Sequence, residues 1–186
     1  MKKLLLLSAL LLPFSANAET FEWQPRYDQS TITFTSTENG NAHETRVGEF
    51  EADIQFSAND LENSNVMVNI PVKAFKRDDS EALQTMQEGQ FFDAKNYPDI
   101  TYRADHFEHV KDNEYIAHGY LKIKDIENPL DLPFTLDITD DTADMTSQVT
   151  VLRLPYQVGK GSWADTNFIA NEVTVDIHLV ADRKTP

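Results

Sequence analysis

Along most of this chain apolar side chains recur at every second residue, and that spacing leaves few folds open. Ile32 and Phe34 alternate with threonines. Phe50, Ala52, Ile54 and Phe56 alternate with Glu51, Asp53 and Gln55. The same rule holds for Val66, Val68, Ile70 and Val72, for Ile100, Tyr102 and Ala104, for Leu130, Leu132, Phe134, Leu136 and Ile138, and for Val173, Val175, Ile177 and Leu179. Successive side chains of a strand point to opposite faces, so each run predicts a strand with one buried and one solvated face. That pattern suits antiparallel pairing. Tyr115 to Ile123 and Met145 to Leu154 read as strands with less regular alternation. Turns are predicted at Asn39-Gly40, Asn59-Asp60, Asn63-Ser64, Asp112-Asn113, Asn128-Pro129 and Asp140-Asp141. One segment breaks the rule. Leu83 and Met86 sit three apart among Glu, Gln and Ala, which predicts a short helix near residues 79–88. Asp78 is the expected cap with Glu81 three residues on, Gly89 the expected end, and a loop from Gln90 to Pro98 follows.

About eight strands and one helix fit two architectures, a sandwich or a closed barrel, and closure would remove the sheet edges. An eight-stranded barrel has an interior that is filled or holds one small ligand, and alternation does not separate the two. The length of 186 residues predicts one domain, and apolar and aromatic fractions of 40% and 10% suffice for its core.

Residues 1–18 read as a secretory signal: Lys2 and Lys3, an apolar run from Leu4 to Leu12, then Ala16-Asn17-Ala18 before the expected cleavage. The run is shorter than the roughly 20 residues a membrane-spanning helix needs. The mature chain, 19–186, is therefore expected to be a soluble exported protein, periplasmic in a two-membrane bacterium. Loss of two lysines takes the formal charge from −15 to −17. So acidic a chain is repelled by nucleic acid and by anionic membrane surfaces. The absence of cysteine excludes disulfides, thiolate metal sites and thiol nucleophiles.

Chemistry-bearing residues are scattered. His43, His106, His109, His118 and His178 have no ligand spacing, so no metal site is expected. Asp78-Asp79 and Asp140-Asp141 are adjacent carboxylate pairs, more in keeping with caps and turns than with the facing pair of a glycoside hydrolase. There is no nucleophile elbow, phosphate loop or dinucleotide fingerprint. Phe75, Phe91, Phe92, Tyr97, Trp163 and Phe168 lie in or beside loops, where they either plug a barrel end or line the mouth of an apolar pocket.

Several motifs occur in an order that resembles the YceI-like family. They are Gly48-Glu49-Phe50; Lys76-Arg77-Asp78; Phe91-Phe92-Asp93 continuing through Tyr97-Pro98 to Tyr102; Gly119-Tyr120-Leu121-Lys122-Ile123; and Asn128-Pro129-Leu130-Asp131-Leu132-Pro133-Phe134. A final motif, Val158-Gly159-Lys160-Gly161-Ser162-Trp163-Ala164-Asp165-Thr166, resembles the signature of one branch. The resemblance covers about Tyr27 to Ala181. It implies an all-β fold, an eight-stranded antiparallel lipocalin-like β-barrel with the short helix inserted. It also implies binding of an isoprenoid lipid or isoprenoid quinone in an apolar interior, with no cofactor required and no catalysis. Candidate wall and mouth residues are Phe34, Phe50, Ile70, Phe75, Leu83, Met86, Phe92, Tyr102 and Trp163. Arg77, Asp78 and Asp93 are expected to pin the helix and loop to the barrel by charged hydrogen bonds. Glu38 stands where many members have His. The resemblance further implies a membrane b-type cytochrome as a partner, and a homodimer through an edge strand is compatible with the sequence. Two rivals remain: a periplasmic hydrolase using a carboxylate pair, and a filled-core stress or adhesion module without ligand.

Overall fold

The computed structural model describes residues 20–184, so the expected leader lies outside the described residues. The elements are β1 (Phe21–Pro25), β2 (Thr31–Glu38), β3 (Asn41–Val47), β4 (Glu51–Phe56), β5 (Asn65–Pro71), β6 (Phe75–Lys76), α1 (Ser80–Gln87), β7 (Asp99–Lys111), β8 (Glu114–Ile123), β9 (Ile126–Thr139), β10 (Thr142–Leu152) and β11 (Ile169–Arg183). Every pairing is antiparallel. The ring runs β1-β4-β5-β7-β8-β9-β10-β11 and closes from β11 back to β1, an eight-stranded barrel.

Three strands of the ring are interrupted and resume as β2, β3 and β6. Strand β11 carries β2 along its first half, from Ser36↔Val173 to Thr31↔His178, and β1 along its second, from Pro25↔Ala181 to Trp23↔Arg183. Between β1 and β2 the chain loops out. Ser30 Oγ ties the loop down by donating to the Arg26 carbonyl at 2.8 Å and accepting from Val180 N at 3.1 Å. A break around Gly48–Phe50 separates β3 from β4, and a 3₁₀ turn at Val72–Ala74 separates β5 from β6.

The architecture is the expected barrel, and several local expectations are corrected. Val72 lies in that 3₁₀ turn rather than in a strand. The helix is present, but Asp79 caps it, its carboxylate accepting from Glu81 N at 3.1 Å and Ala82 N at 3.0 Å. Asp78 is one residue too early to reach those N–H groups and is exposed. Glu88, in an extended conformation, ends the helix instead of Gly89. Asn128-Pro129 is not a turn but lies inside β9, opposite Leu121 and Tyr120 of β8. The turn is at Lys124-Asp125, with Lys124 at φ +60°. Proline is tolerated there because β9 pairs with β10 only from Thr139↔Thr142 to Phe134↔Ser147. The stretch holding Pro129 has no partner on that side, and a missing N–H costs nothing on an open edge.

Two apolar clusters fill the ends. Around Trp23, Phe56, Phe107 and Tyr115 the rings pack edge to face, Phe56 lying 5.4 Å from Phe107 and 5.9 Å from Tyr115. Trp23 Nε1 donates to the Phe56 carbonyl at 2.9 Å, which satisfies the buried indole N–H. The other cluster lies under α1 and the 90–98 and 153–168 loops, around Phe50, Phe75, Phe92, Tyr156 and Val158.

Candidate functional site

Between the two clusters the barrel holds a cavity of about 300 Å³. On β11 its wall takes in Ile169 before the bulge and every second residue from Val173 to Ala181 beyond it. Eight residues at ~3.3 Å each, tilted by ~40°, give a length of roughly 20 Å along the barrel axis, so the space is long and narrow. The inward residues of every strand line it, and nearly all are apolar. This is the period-two pattern of the sequence seen from inside.

Seven of the nine candidate residues stand on the wall: Phe34, Phe50, Ile70, Phe75, Met86, Phe92 and Tyr102. Phe34, Phe75 and Phe92 form one aromatic group, with Phe75 5.0 Å from Phe34 and 5.2 Å from Phe92. Leu83 and Trp163 do not line the cavity; they pack on the cluster behind it. Met86, one helical turn beyond Leu83, reaches inward instead. Trp163 lies against Phe91 at 5.3 Å, and Phe91 takes the wall position. The loop aromatics thus roof the helix end, whereas the opposite end is closed by the ring group around Phe56, which spacing did not single out.

Polar groups on the wall are few. Tyr102 donates its hydroxyl to the carbonyls of Ala117 at 3.0 Å and Leu130 at 3.3 Å, and burial pushes its pKa up. To do so its ring crosses β8 above Gly119, where a Cβ would stand 2.5 Å from the Tyr102 hydroxyl. That close approach is the physical content of the Gly119-x-Leu121 motif. Arg153, 5% exposed, donates to the carbonyls of Val158 (2.8 Å), Gly159 (3.4 Å), Ile169 (2.7 Å) and Ala170 (2.9 Å). It is a clamp for the 153–169 segment, and its burial lowers its pKa. Gly159, at φ +81°, packs on that guanidinium where no side chain would fit.

At the helix end stands a charged group that residue spacing did not connect. Arg77 Nη1 donates to Glu38 Oε1 at 2.8 Å and Nη2 to Oε2 at 3.2 Å, while Ser36 Oγ donates to Glu38 Oε1 at 2.9 Å. All three residues line the cavity. The Arg77 side chain is 7% exposed and that of Glu38 24%. Burial pushes the Glu38 carboxyl up, but the hydrogen bonds from Arg77 and Ser36 and the Arg77 charge outweigh it and hold the pKa below its ordinary value. Arg77 therefore pins the segment before α1 to the β2–β3 hairpin, as expected. Asp93 accepts only from Asn96 Nδ2 within its own turn.

The other chemistry-bearing residues lie away from the cavity. Asp79 is committed to the helix cap and Asp141 faces Arg183 at 3.6 Å. Glu38 is the one carboxylate on the wall among the described residues. His106 and His118 stack at 5.1 Å outside the barrel. The bond from His118 to Asp131 at 2.9 Å, aided by Glu108, raises its pKa. No group of three metal-ligating side chains occurs among the described residues, and none of their helices is long and apolar enough to cross a membrane.

Comparison with known proteins gives a consistent picture. No curated protein matches the sequence. Among solved structures, BcnA of Burkholderia cenocepacia superposes with a TM-score of 0.81 at 25% identity, over 84% of this chain and 99% of its own. A polyisoprenoid-binding domain of Saccharophagus degradans, implicated in plant cell wall breakdown, superposes at 0.70 with 11% identity, over 88% and 99%. A YCEI protein of Campylobacter jejuni superposes at 0.68 with 16% identity, over 76% and 85%. The last two show the shared fold. The model of the YceI-like domain matches residues 23–181, from the first barrel strand to the last, and the chain belongs to the YceI-like family.

Proposed function

We propose that this chain is a non-catalytic carrier that holds an isoprenoid lipid or isoprenoid quinone in the barrel, tail inward. The observation that carries the reading is the long apolar cavity: open space supports a carrier over a filled core, and a wall with one carboxylate among the described residues supports it over a carboxylate-pair hydrolase. A hydrocarbon tail needs only dryness and length. At about 0.8 kcal/mol per buried CH₂, roughly ten buried carbons supply about 8 kcal/mol before ordering costs. The name of the Saccharophagus domain points to the same ligand class. Export to the periplasm, delivery to a membrane b-type cytochrome and pairing into a homodimer belong to this proposal.

The test is native mass spectrometry of residues 19–186 purified through their own export route, followed by extraction of any bound organic mass. A single isoprenoid at about one per chain, released on denaturation, supports the carrier. A protein that arrives bare and takes up neither added quinone nor polyprenol would overturn it.

A further inference from the structure

The wall carries five polar side chains: Ser36, Glu38, Arg77, Tyr102 and Arg153. Two are already occupied. Tyr102 gives its only hydrogen to backbone carbonyls, and the Arg153 guanidinium is spent on four others, those of Val158 and Gly159 in its loop and of Ile169 and Ala170 at the start of β11. The remaining three are not saturated. A guanidinium has five N–H donors, and Glu38 accepts two of those of Arg77. The other three have no protein acceptor among the described residues. Ser36 uses its proton on Glu38 and keeps lone pairs free to accept. These groups sit at one end only. The wall at the other end is apolar, with Trp23, Phe107, Leu136 and Ile138.

The charge of this corner matters as much as its donors. Sites that hold diphosphates or carboxylates present uncompensated Arg or Lys to the anion. Here the Arg77 charge is met by a bidentate carboxylate, so the pair is neutral as a unit, and an incoming anion would face Glu38 at close range. A carbonyl or hydroxyl oxygen meets no such repulsion and can accept from the free N–H groups.

We propose that Ser36, Glu38 and Arg77 form the head-group site of the cavity and select a neutral oxygen head group, a quinone carbonyl or an alcohol, against a diphosphate or carboxylate on the same tail. This rests on the carrier reading. Glu38 is the selectivity element: it cancels the charge that would otherwise recruit anions.

Geranylgeraniol and geranylgeranyl diphosphate share one tail and differ only at the head. Their dissociation constants for the full mature chain can be measured by tryptophan fluorescence. The decisive readout is the change in their ratio between variants, because the solubility difference between the probes cancels in it. Glu38→Gln should shift the ratio at least tenfold toward the diphosphate, since Arg77 is then an unpaired cation. Glu38→Gln combined with Arg77→Gln should bind the diphosphate no better than the wild type does and the alcohol several-fold more weakly, because the Arg77 donors are gone, so its alcohol preference should fall. The double variant also leaves no buried unpaired charge, so it decides the matter if the single variant fails to fold: an alcohol preference as strong as the wild type's would show that the pair does not read the head group. A ratio unmoved in folded Glu38→Gln would overturn the proposal while leaving the carrier intact. Failure of the wild type to bind either probe would overturn the carrier reading itself.

Discussion

Two residues show how little freedom the wall has. At Gly119 a methyl group would stand 2.5 Å from both the Arg103 carbonyl and the Tyr102 hydroxyl, and the carbonyl belongs to a paired strand that cannot retreat. Gly119→Ala is expected to cost about 1–3 kcal/mol, as overpacking does, read as a lower urea midpoint. Tyr102→Phe, which keeps the ring and loses hydrogen bonds to carbonyls, should cost about 1 kcal/mol. Glu38 makes the barrel sensitive to acid. Its folded pKa lies below the ordinary 4.5. Its contribution is therefore complete above that value and is lost as pH falls through the lower folded value. Stability measured against pH should fall below about 4.5 more steeply in the wild type than in Glu38→Gln; equal slopes would mean that the ion pair does not form in solution. The partnership of Glu38 and Arg77 was not legible in the sequence. Each was singled out alone, Arg77 as a pin and Glu38 as a departure from the family's His, but the register that joins them depends on the β2–β3 hairpin and on β3 meeting β6 from far along the chain.

Among the elements, the helix offers the sharpest test of local assignment. Asp79→Ala should lower stability by about 1 kcal/mol, the usual worth of an N-cap, and speed amide exchange at Glu81 and Ala82. Asp78→Ala, one residue away, should do neither. The sequence showed the helix but placed its cap one residue early, because both aspartates satisfy the same pattern. Most strands with one apolar face were legible, but β1 was not read although Phe21, Trp23 and Pro25 alternate in it. Strand β3 was missed because its inward positions include His43 and Thr45, which break the hydrophobic alternation. The second half of β7, around His106 and His109, reads as strand running into turn, and its alternation is unclear because a bulge between Ala104 and His106 shifts the period. Pro129 read as a turn for a sound local reason, and only the unpaired edge of β9, a property of the whole barrel, explains why it is not. Of the wall, the regular inward residues were readable from spacing, whereas Leu83 and Trp163 point toward the cavity in pattern but are screened from it by Met86 and Phe91.

At the scale of the whole molecule, charge governs the encounter with membranes. The sequence carries −15, so transfer of a prenyl quinone from anionic vesicles to the protein should be slow at low salt. It should accelerate as added salt shortens the screening length from ~30 Å at 0.01 M to ~8 Å at 0.15 M. Zwitterionic vesicles should show no such dependence; a salt effect of equal size on both would rule out surface repulsion as its cause. The closure of the ring carries a further consequence. The barrel shuts only when β11 meets β1, Trp23 opposite Arg183 and Pro25 opposite Ala181, with Arg26 latched on Asp182. Trp23 and Arg183 lie 160 residues apart along the chain. A chain emerging from its N-terminal side, at the ribosome or at an export channel, can therefore pair its middle strands first, but it cannot seal its interior until β11 has emerged. Assembly of such distant contacts is intrinsically slow, so there is an interval in which the whole chain exists and the apolar wall is still open on one side, available to a lipid before the seam is drawn shut.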